Sequence, residues 1–272
     1  MVCPVLIPVL VSALGIPIMR SRFHSDPPDG APMVETVPTT FPKTGGAEIA
    51  AAFVGKRVAG DFYDSLRVNP ERVLFGLLDI AGRREENRGI LAAAQGMFRN
   101  FGTELFSSPD INESEAMTEL SLRINRGLIE NSKGVHPCPA FIGCYHEKFG
   151  TLCYTNAGHT PGLLRDSSGI AELGSTGLPF GLFSHVTSDA PTIALAKDAA
   201  LLLVSRGVIE CEGHGGRSTE ELGLAGVKQL LQAAPASSAE ALCASILKSM
   251  GEFGGETARC DDRTALALVR TG

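Results

Sequence analysis

The chain has 272 residues, of which 44% are hydrophobic and 20% are charged, and its formal net charge is −6. That length and apolar content suffice for one large core, so a single globular domain is expected. The acidic balance argues against nucleic acid as the main partner, because phosphate backbones attract basic surfaces. The seven cysteines are odd in number and contain no Cys-x-x-Cys pair, which favours reduced thiols over a zinc site or a disulfide framework.

Residues 1–46 are predicted to precede a folded domain that spans 47–272. Met1–Met19 carries no charge and has arginines directly behind it, so it is long enough for a membrane anchor. Prolines interrupt this run, and it also fits an upstream extension with a working start at Met19 or Met33. The domain is expected in the cytoplasm, tethered to a membrane only if the first segment is an anchor. Residues 25–43, rich in Pro, Asp and Thr, are predicted as a linker.

The first elements predicted in the domain are a strand and a hairpin. Glu48–Arg57 has the pattern of a strand. The runs Phe62–Val68 and Val73–Leu78 are predicted to pair across a turn at Asn69-Pro70-Glu71. This hairpin would bring Asp61 and Asp79 close together.

Two amphipathic helices and further strands follow the hairpin. The helices are predicted at Glu85–Phe106 and at Asn112–Glu130, with Asn112 as the N-cap. The later elements, in chain order, are strands at Ala140–His146, Thr151–Asn156, Gly162–Leu164 and Ala199–Ser205, helices at Glu220–Gln232 and Ser238–Gly251, and a last strand at Thr264–Arg270. Grouped strands and paired helices predict an α+β fold, an αββα sandwich of two mainly antiparallel sheets flanked by helices.

Acidic residues stand at the ends of three apolar runs. They are Asp61 in Ala-Gly-Asp61-Phe-Tyr-Asp64, Asp79 in Leu-Leu-Asp79-Ile-Ala-Gly, and the pair Asp261-Asp262 before Arg263-Thr264. Carboxylates at the tips of buried strands are costly unless a positive charge compensates them, and a hard cation held by oxygen ligands is the usual compensation. The sequence therefore predicts a site for Mg²⁺ or Mn²⁺.

An ordered set of motifs resembles a known family. The motifs are Glu48–Phe53, Val58–Asp64, Leu78–Gly82, Asn156–Leu164, Gly177–Gly181 and Asp261–Thr264, and together they extend over about residues 47–270. The set resembles the PPM-type (2C-like) metal-dependent protein serine/threonine phosphatases. It is most similar to their bacterial branch, typified by sporulation stage II protein E and the sigma-regulation phosphatases. Several motifs in the right order are much more specific than any single one.

The resemblance implies a β-sandwich with a dinuclear Mn²⁺ or Mg²⁺ centre at one edge. In that family pattern Asp79 bridges the two metals, the Ile80 backbone carbonyl binds one, Asp261 binds the other, and Asp61 holds a metal-bound water. The implied activity is hydrolysis of phosphoserine or phosphothreonine by metal-activated water without a covalent intermediate. The implied substrate is a regulatory phosphoprotein such as an anti-sigma antagonist. Whether the protein is a monomer or a homodimer stays open.

Arg206, in Leu-Val-Ser205-Arg206-Gly207, departs from the pattern, because the family places a metal-binding Asp at this position. The change removes an oxygen donor and alters the local charge by two units, so metal binding is expected to weaken. Three interpretations are open. Arg206 grips the substrate phosphate beside a weakened or single-metal site, or it neutralises Asp61, Asp79 or Asp261 in a pseudophosphatase that only binds phosphoproteins, or Glu210 or Asp262 supplies the missing oxygen. A solvent-facing Arg206 is not expected, because the apolar run before it predicts a buried strand.

Four other features have structural interpretations. His159 is interpreted as a hydrogen-bonded structural residue rather than a general acid. Asp64 is predicted to cap or turn the hairpin, and Gly177–Gly181 to form a tight turn. The charged stretch Arg83–Arg88 is interpreted as a solvated helix start, with a phosphate or partner contact as the alternative.

Overall fold

The computed structural model describes residues 39–55, 59–131, 136–184, 188–213, 221–235, 238–254 and 262–272, with the backbone alone at 59, 81–86 and 251. The apolar segment Met1–Met19 and the predicted ligand Asp261 lie outside the described residues, so both predictions stay predictions. Within the described ranges, the structure contains no helix that is both long and apolar enough to cross a membrane.

The described residues form ten strands and five helices. In chain order they are β1 (Ala47–Val54), β2 (Ala59–Asn69), β3 (Arg72–Arg83), α1 (Arg84–Phe106), α2 (Glu113–Asn131), β4 (Ala140–His146), β5 (Thr151–Ala157), β6 (Gly162–Asp166), β7 (Gly169–Leu173), β8 (Thr192–Ala194), β9 (Ala200–Val204), α3 (Arg206–Ile209), α4 (Gly223–Ala233), α5 (Ala239–Gly254) and β10 (Arg263–Arg270).

The strands form two five-stranded sheets in which every strand pair is antiparallel. The β1 sheet has the order β1-β10-β9-β6-β7, and the β2 sheet has the order β2-β3-β4-β5-β8. Helices α1 and α2 cover one face of the β2 sheet, and α4 and α5 cover one face of the β1 sheet. The other two faces pack on each other. The predicted αββα sandwich is therefore confirmed.

Successive residues of the central strands explain this layering. On β3, Leu74 contacts the core under α1 and α2, while its neighbour Phe75 lies in the core between the sheets. On β9, Leu202 faces α4 and α5, while Leu201 faces the other sheet. Because both faces of these strands are buried, the sequence shows continuous apolar runs rather than alternation.

The predicted hairpin and the first helix pair are confirmed. In the β2–β3 register, Phe62 lies opposite Leu78 and Arg67 lies opposite Val73. Helix α2 begins after Asn112, whose Oδ1 accepts hydrogen bonds from the backbone N–H groups of Ser114 (3.1 Å) and Glu115 (3.3 Å). This side chain satisfies N–H groups that have no partner within the helix, which is the function of an N-cap.

Three short elements, β7, β8 and α3, were not predicted from the sequence. Strands β7 and β8 are edge strands of five and three residues that expose much of their surface, so they carry little of the apolar pattern that marks a strand. Helix α3 is a single turn of four residues. Elements this short contain too few residues for a period to be recognised.

Candidate functional site

The two acidic residues of the first hairpin lie directly opposite each other. Asp61 on β2 and Asp79 on β3 are register partners. Opposed residues of antiparallel strands have Cα atoms about 4.5–5.5 Å apart and side chains on the same face. The structure thus confirms that the two carboxylates are neighbours.

The ladder is irregular beside this pair. Ala59 pairs with Arg83 but Asp61 pairs with Asp79, so β3 contains two more residues than β2 across this interval. Such bulges bend a strand and change the direction of its groups. Here the bulge brings the Ile80 carbonyl against Gly60, where a Cβ atom would lie 1.9 Å from the carbonyl oxygen. Glycine at position 60 is therefore required for the position of the Ile80 carbonyl.

Asp61 is held by two hydroxyl groups of the other sheet. The Thr264 hydroxyl donates a hydrogen bond to Asp61 Oδ2 at 2.9 Å, and the Ser205 hydroxyl also donates to this carboxylate. Ser205 and Thr264 are tied to each other, because the backbone N–H of Thr264 donates to Ser205 Oγ and the N–H of Ser205 donates to the Thr264 carbonyl, both at 3.0 Å. Asp61 therefore joins the two sheets at one edge of the sandwich.

Sequence reasoning did not assign a role to Ser205 or Thr264, although Thr264 lies within one of the motifs used for the resemblance and Ser205 directly precedes Arg206. The signal available was their position, since each is a hydroxyl residue at the end of a buried strand. Both are fully buried, and buried hydroxyl groups require partners.

Burial, together with the neighbouring carboxylates, raises the pKa of Asp61 to about 6. Burial is the largest cause, the negative charge of Asp79 is the next upward cause, and Asp262 adds a smaller increase. The hydrogen bonds from Ser205 and Thr264 act in the opposite direction, because they stabilise the ionised form. This edge of the sandwich concentrates negative charge that a bound cation would offset.

The oxygen atoms present fit a hard divalent cation. In the part of the chain that the structure describes, no group of three or more His, Cys, Asp or Glu side chains could hold a metal ion. The opposed carboxylates of Asp61 and Asp79, with the Ile80 carbonyl beside them, are nevertheless hard oxygen donors. Mg²⁺ in proteins characteristically binds one or two carboxylates and keeps several waters.

The structure places Arg206 at the first position of α3 with its side chain 55% exposed. The Arg206 Nε atom lies 3.8 Å from Glu210 Oε1. Among the described residues Arg206 forms an ion pair with Glu210, and it forms none with Asp61 or Asp79. The expectation that Arg206 avoids solvent is wrong, because the chain turns from β9 into a helix at this point. Neutralisation of these two aspartates by Arg206 is not observed.

His159 has the contacts of a structural residue. Its backbone N–H donates to Asn156 Oδ1 at 2.8 Å, and its Nδ1 lies 3.1 Å from the Thr160 carbonyl oxygen. Burial, with a smaller contribution from the positive charge of Arg206, lowers the pKa of His159 to about 4. A histidine that stays neutral near pH 7 is poorly suited to proton donation, which favours the structural interpretation.

The prediction that Asp64 caps or turns the hairpin is wrong. Asp64 is completely buried, and Arg99 of α1 donates to both of its oxygens, through Nε at 2.6 Å and Nη2 at 2.9 Å. Gln95 of α1 adds a third hydrogen bond at 3.2 Å. Asp64 therefore fixes α1 to β2, on the strand that also carries Asp61.

The predicted tight turn over Gly177–Gly181 is not observed, because Gly177 and Phe180 form isolated bridges and only Gly181 has turn geometry, but the segment is held at both ends. The backbone N–H of Gly177 donates to the Asn156 carbonyl at 3.2 Å, and that of Gly181 donates to Asn125 Oδ1 of α2 at 2.8 Å. Phe180 forms two backbone hydrogen bonds with Cys138, just before β4. The residue after Cys138, Pro139, accepts a hydrogen bond from the backbone N–H of Asp79, so the segment lies near the acidic edge.

Comparison with known proteins agrees with this geometry. The family model described as stage II sporulation protein E (SpoIIE) matches residues 69–271. Phosphoserine phosphatase RsbP of Bacillus subtilis is 24% identical over 154 residues, which cover 56% of this chain and 37% of RsbP. The chain thus spans well under half of that relative.

Two of the similar solved structures illustrate the shared fold. The RsbU and RsbW domains of Rv1364c from Mycobacterium tuberculosis superpose with a TM-score of 0.68 at 22% identity, covering 85% of this chain and 62% of that chain. RsbX in complex with magnesium has a TM-score of 0.59 at 14% identity, covering 85% of this chain and 99% of RsbX. Because the family model also matches most of the chain, the protein belongs to the stage II sporulation protein E family of PPM-type serine/threonine phosphatases and has their PP2C-like fold.

Proposed function

We propose that this protein hydrolyses phosphoserine or phosphothreonine on a regulatory phosphoprotein with the help of Mg²⁺ or Mn²⁺. The observation that carries the proposal is the opposed pair Asp61–Asp79, joined across the sandwich edge to Ser205 and Thr264. A scaffold protein has no need to hold two carboxylates against each other, because their repulsion disfavours the ionised form of Asp61 and raises its pKa. The name of the relative RsbP supports a phosphoserine substrate, and the RsbX complex supports magnesium.

The metal ligands that we propose are Asp79, the Ile80 carbonyl and Asp261, with Asp61 acting through a metal-bound water. Such a metal would lower the pKa of a bound water and offset charge on the phosphoryl group. Asp61 can orient that water because its carboxylate is fixed by two hydroxyl groups rather than free to rotate. Asp79 is anchored through its backbone N–H, which donates to the Pro139 carbonyl at 2.8 Å.

The cysteines support attack by water rather than by a thiol. The five cysteines in the described ranges are all buried: Cys138, Cys144, Cys153, Cys211 and Cys243. Burial raises the pKa of Cys153 to about 11 and that of Cys243 to about 12, so both stay protonated near neutral pH. A protonated thiol is a poor nucleophile, which favours a reaction without a covalent intermediate.

Arg206 is proposed to bind a phosphoryl oxygen of the substrate. Its exposure and its long 3.8 Å pairing with Glu210 support this role, because the guanidinium group keeps donors available to an incoming anion. With an arginine at the place of a metal-binding carboxylate, we propose a single metal or a weakened metal pair. An anti-sigma antagonist is the substrate class that the family resemblance supports.

A second candidate function is a pseudophosphatase that recognises a phosphoprotein without hydrolysing it. The observation that favours it is Arg206 itself, since it adds positive charge where the family places an oxygen ligand. Retention of Asp61 and Asp79 favours the enzyme, because a module that only binds a phosphate has no use for two opposed negative charges.

Hydrolysis of a phosphoserine peptide in Mn²⁺, Mg²⁺ or EDTA tests both functions. The wild type is compared with Asp79→Asn, with Arg206→Asp, and with Asp110→Asn as a control at an exposed loop position. Metal-dependent turnover that is lost in Asp79→Asn and kept in Asp110→Asn supports the phosphatase. A silent wild type together with an active Arg206→Asp variant would establish the pseudophosphatase instead.

A further inference from the structure

An open cavity with both polar and apolar lining lies on α1 and β2, away from the acidic edge. It has a volume of about 350 Å³ and is lined by the segment before β1, by β2 and by α1. Its polar lining residues are Thr40, Ser65, Arg67, Arg99 and Thr103. Ser65 follows Asp61 by four residues on β2, which corresponds to about 13 Å along an extended strand. The cavity is therefore separate from the site proposed for hydrolysis.

The segment before β1 is packed onto β2 and forms one wall of this cavity. The Thr39 hydroxyl donates to the Tyr63 carbonyl at 2.8 Å, and the ring of Phe41 stacks on that of Tyr63 with centroids 6.2 Å apart. The neighbouring residue Thr40 lines the cavity. These contacts give the wall a fixed position.

The charge of the lining is positive although the whole chain is acidic. Both charged residues of the lining are arginines, Arg67 and Arg99, and no carboxylate belongs to it within the described part of the chain. Their ion-pair partners are Glu147 and Asp64, neither of which lines the cavity. Each ion pair thus presents its positive member to the cavity.

Several hydrogen-bond donors of the lining have no acceptor among the residues that the structure describes. Arg99 uses Nε and Nη2 for Asp64, and its Nη1 forms no hydrogen bond with any residue that the structure describes. Thr40 and Thr103 are exposed, and over the same described ranges their hydroxyl groups have no protein hydrogen-bond partner, so they are available to a ligand in competition with water. Guanidinium and hydroxyl donors around one space are the groups that bind phosphate and similar oxyanions in proteins.

We propose that this cavity binds a small oxyanion of the phosphate class, either free phosphate or the phosphate group of a small metabolite. Arg99 supplies charge and an available N–H donor, and Thr40 of the segment before β1 and Thr103 of α1 supply hydroxyl donors. The volume falls within the lower part of the range of small-molecule sites, about 300–1,000 Å³, so it exceeds what a bare phosphate needs. The ligand would bridge α1 to the segment before β1, and it would therefore stabilise the folded protein.

Calorimetric titration of the full chain with inorganic phosphate tests the proposal. The titration is made in EDTA at constant ionic strength, so that neither a metal nor simple screening contributes. Glycerol 3-phosphate serves as a second probe, and tighter binding of this ester than of phosphate would identify a metabolite as the natural source. Millimolar binding of phosphate is expected in the wild type, accompanied by a higher melting temperature.

The decisive variant is Thr103→Glu, which adds a carboxylate to the lining, four residues after Arg99 on α1, without removing Arg99 or Asp64. We expect phosphate affinity to fall roughly tenfold or more, because the new charge repels the anion at short range. Ser108→Glu adds the same charge at an exposed position outside the cavity and should leave the affinity unchanged. Thr40→Glu repeats the test on the segment before β1 in case Thr103→Glu folds poorly.

Three results would overturn the proposal. The first is absence of phosphate binding to the wild type. The second is equal affinity in the wild type, Thr103→Glu and Thr40→Glu. The third is loss of phosphate binding in Asp79→Asn, which would assign the anion to the acidic edge instead. Peptide hydrolysis is not used in these measurements, so the cavity and the proposed phosphatase activity can fail independently.

Discussion

Gly60→Ala should damage the acidic edge through a single methyl group. The added Cβ atom would lie 1.9 Å from the Ile80 carbonyl oxygen, and Cβ contacts below 3.0 Å are essentially never found, so the two groups must separate by about 1 Å. The two atoms that the added Cβ would approach most closely, the carbonyl oxygen and carbon of Ile80, belong to the backbone. They cannot rotate away as a flexible side chain could. The Ile80 carbonyl, a proposed metal ligand, is therefore displaced.

A displacement of about 1 Å at a group that positions reactants can reduce turnover about 10²-fold. Overpacking of a well-packed site also lowers the free energy of unfolding by about 1–3 kcal/mol. We therefore expect Gly60→Ala to fold at room temperature, to bind Mn²⁺ more weakly in a calorimetric titration, and to hydrolyse phosphopeptide far more slowly than the wild type.

Gly89→Ala is the matched control. Gly89 lies within α1, and a Cβ atom there would meet no atom within 4 Å. Alanine in a helix is more favourable than glycine by about 0.5–1 kcal/mol, so this variant should be slightly stabilised, with wild-type metal binding. Wild-type metal affinity and turnover in Gly60→Ala would refute the reasoning, since they would show that the Ile80 carbonyl does not need its present position.

Two further predictions concern charge. The pKa of Asp61 is raised to about 6, so the metal-free folded protein binds a proton between about pH 4 and 6 that the unfolded chain releases. Its stability should rise as the pH falls from 7 to 5, while metal affinity falls. Thr264→Val should shift this pH dependence of stability to higher pH, because it removes a hydrogen bond that lowers the pKa of Asp61. Asp61→Asn should abolish the contribution of this carboxyl group to the pH dependence. Identical pH profiles of urea unfolding in the wild type and both variants would contradict this prediction. Arg99→Ala leaves the buried Asp64 without its cation and should reduce the free energy of unfolding by about 3–5 kcal/mol. Arg123→Ala, which breaks exposed pairs on α2, should change it little, and equal effects of the two substitutions in urea unfolding would show that burial of the Asp64 pair is unimportant.

Local patterns were sufficient for most of the fold. The β2–β3 hairpin, the N-cap at Asn112 and both helix pairs follow from hydrophobic period and turn chemistry, which act over a few residues. The short edge strands β7 and β8 were missed because an exposed strand lacks a continuous apolar run. The predicted role of Asp64 was wrong because its partner Arg99 is 35 residues away on a helix. The sequence of the hairpin alone does not show which face of that helix will cover Asp64.

The sequence by itself determined that carboxylates stand at strand ends and that Asp61 and Asp79 meet in one hairpin, because pairing in an antiparallel ladder follows from the turn. Only the tertiary structure decided what holds them. The hydroxyl of Thr264 reaches Asp61 across 203 residues of chain, and Arg206 turns outward where β9 becomes a helix. Both depend on how two separate sheets pack at their edge, and that packing is a long-range property that no local period encodes.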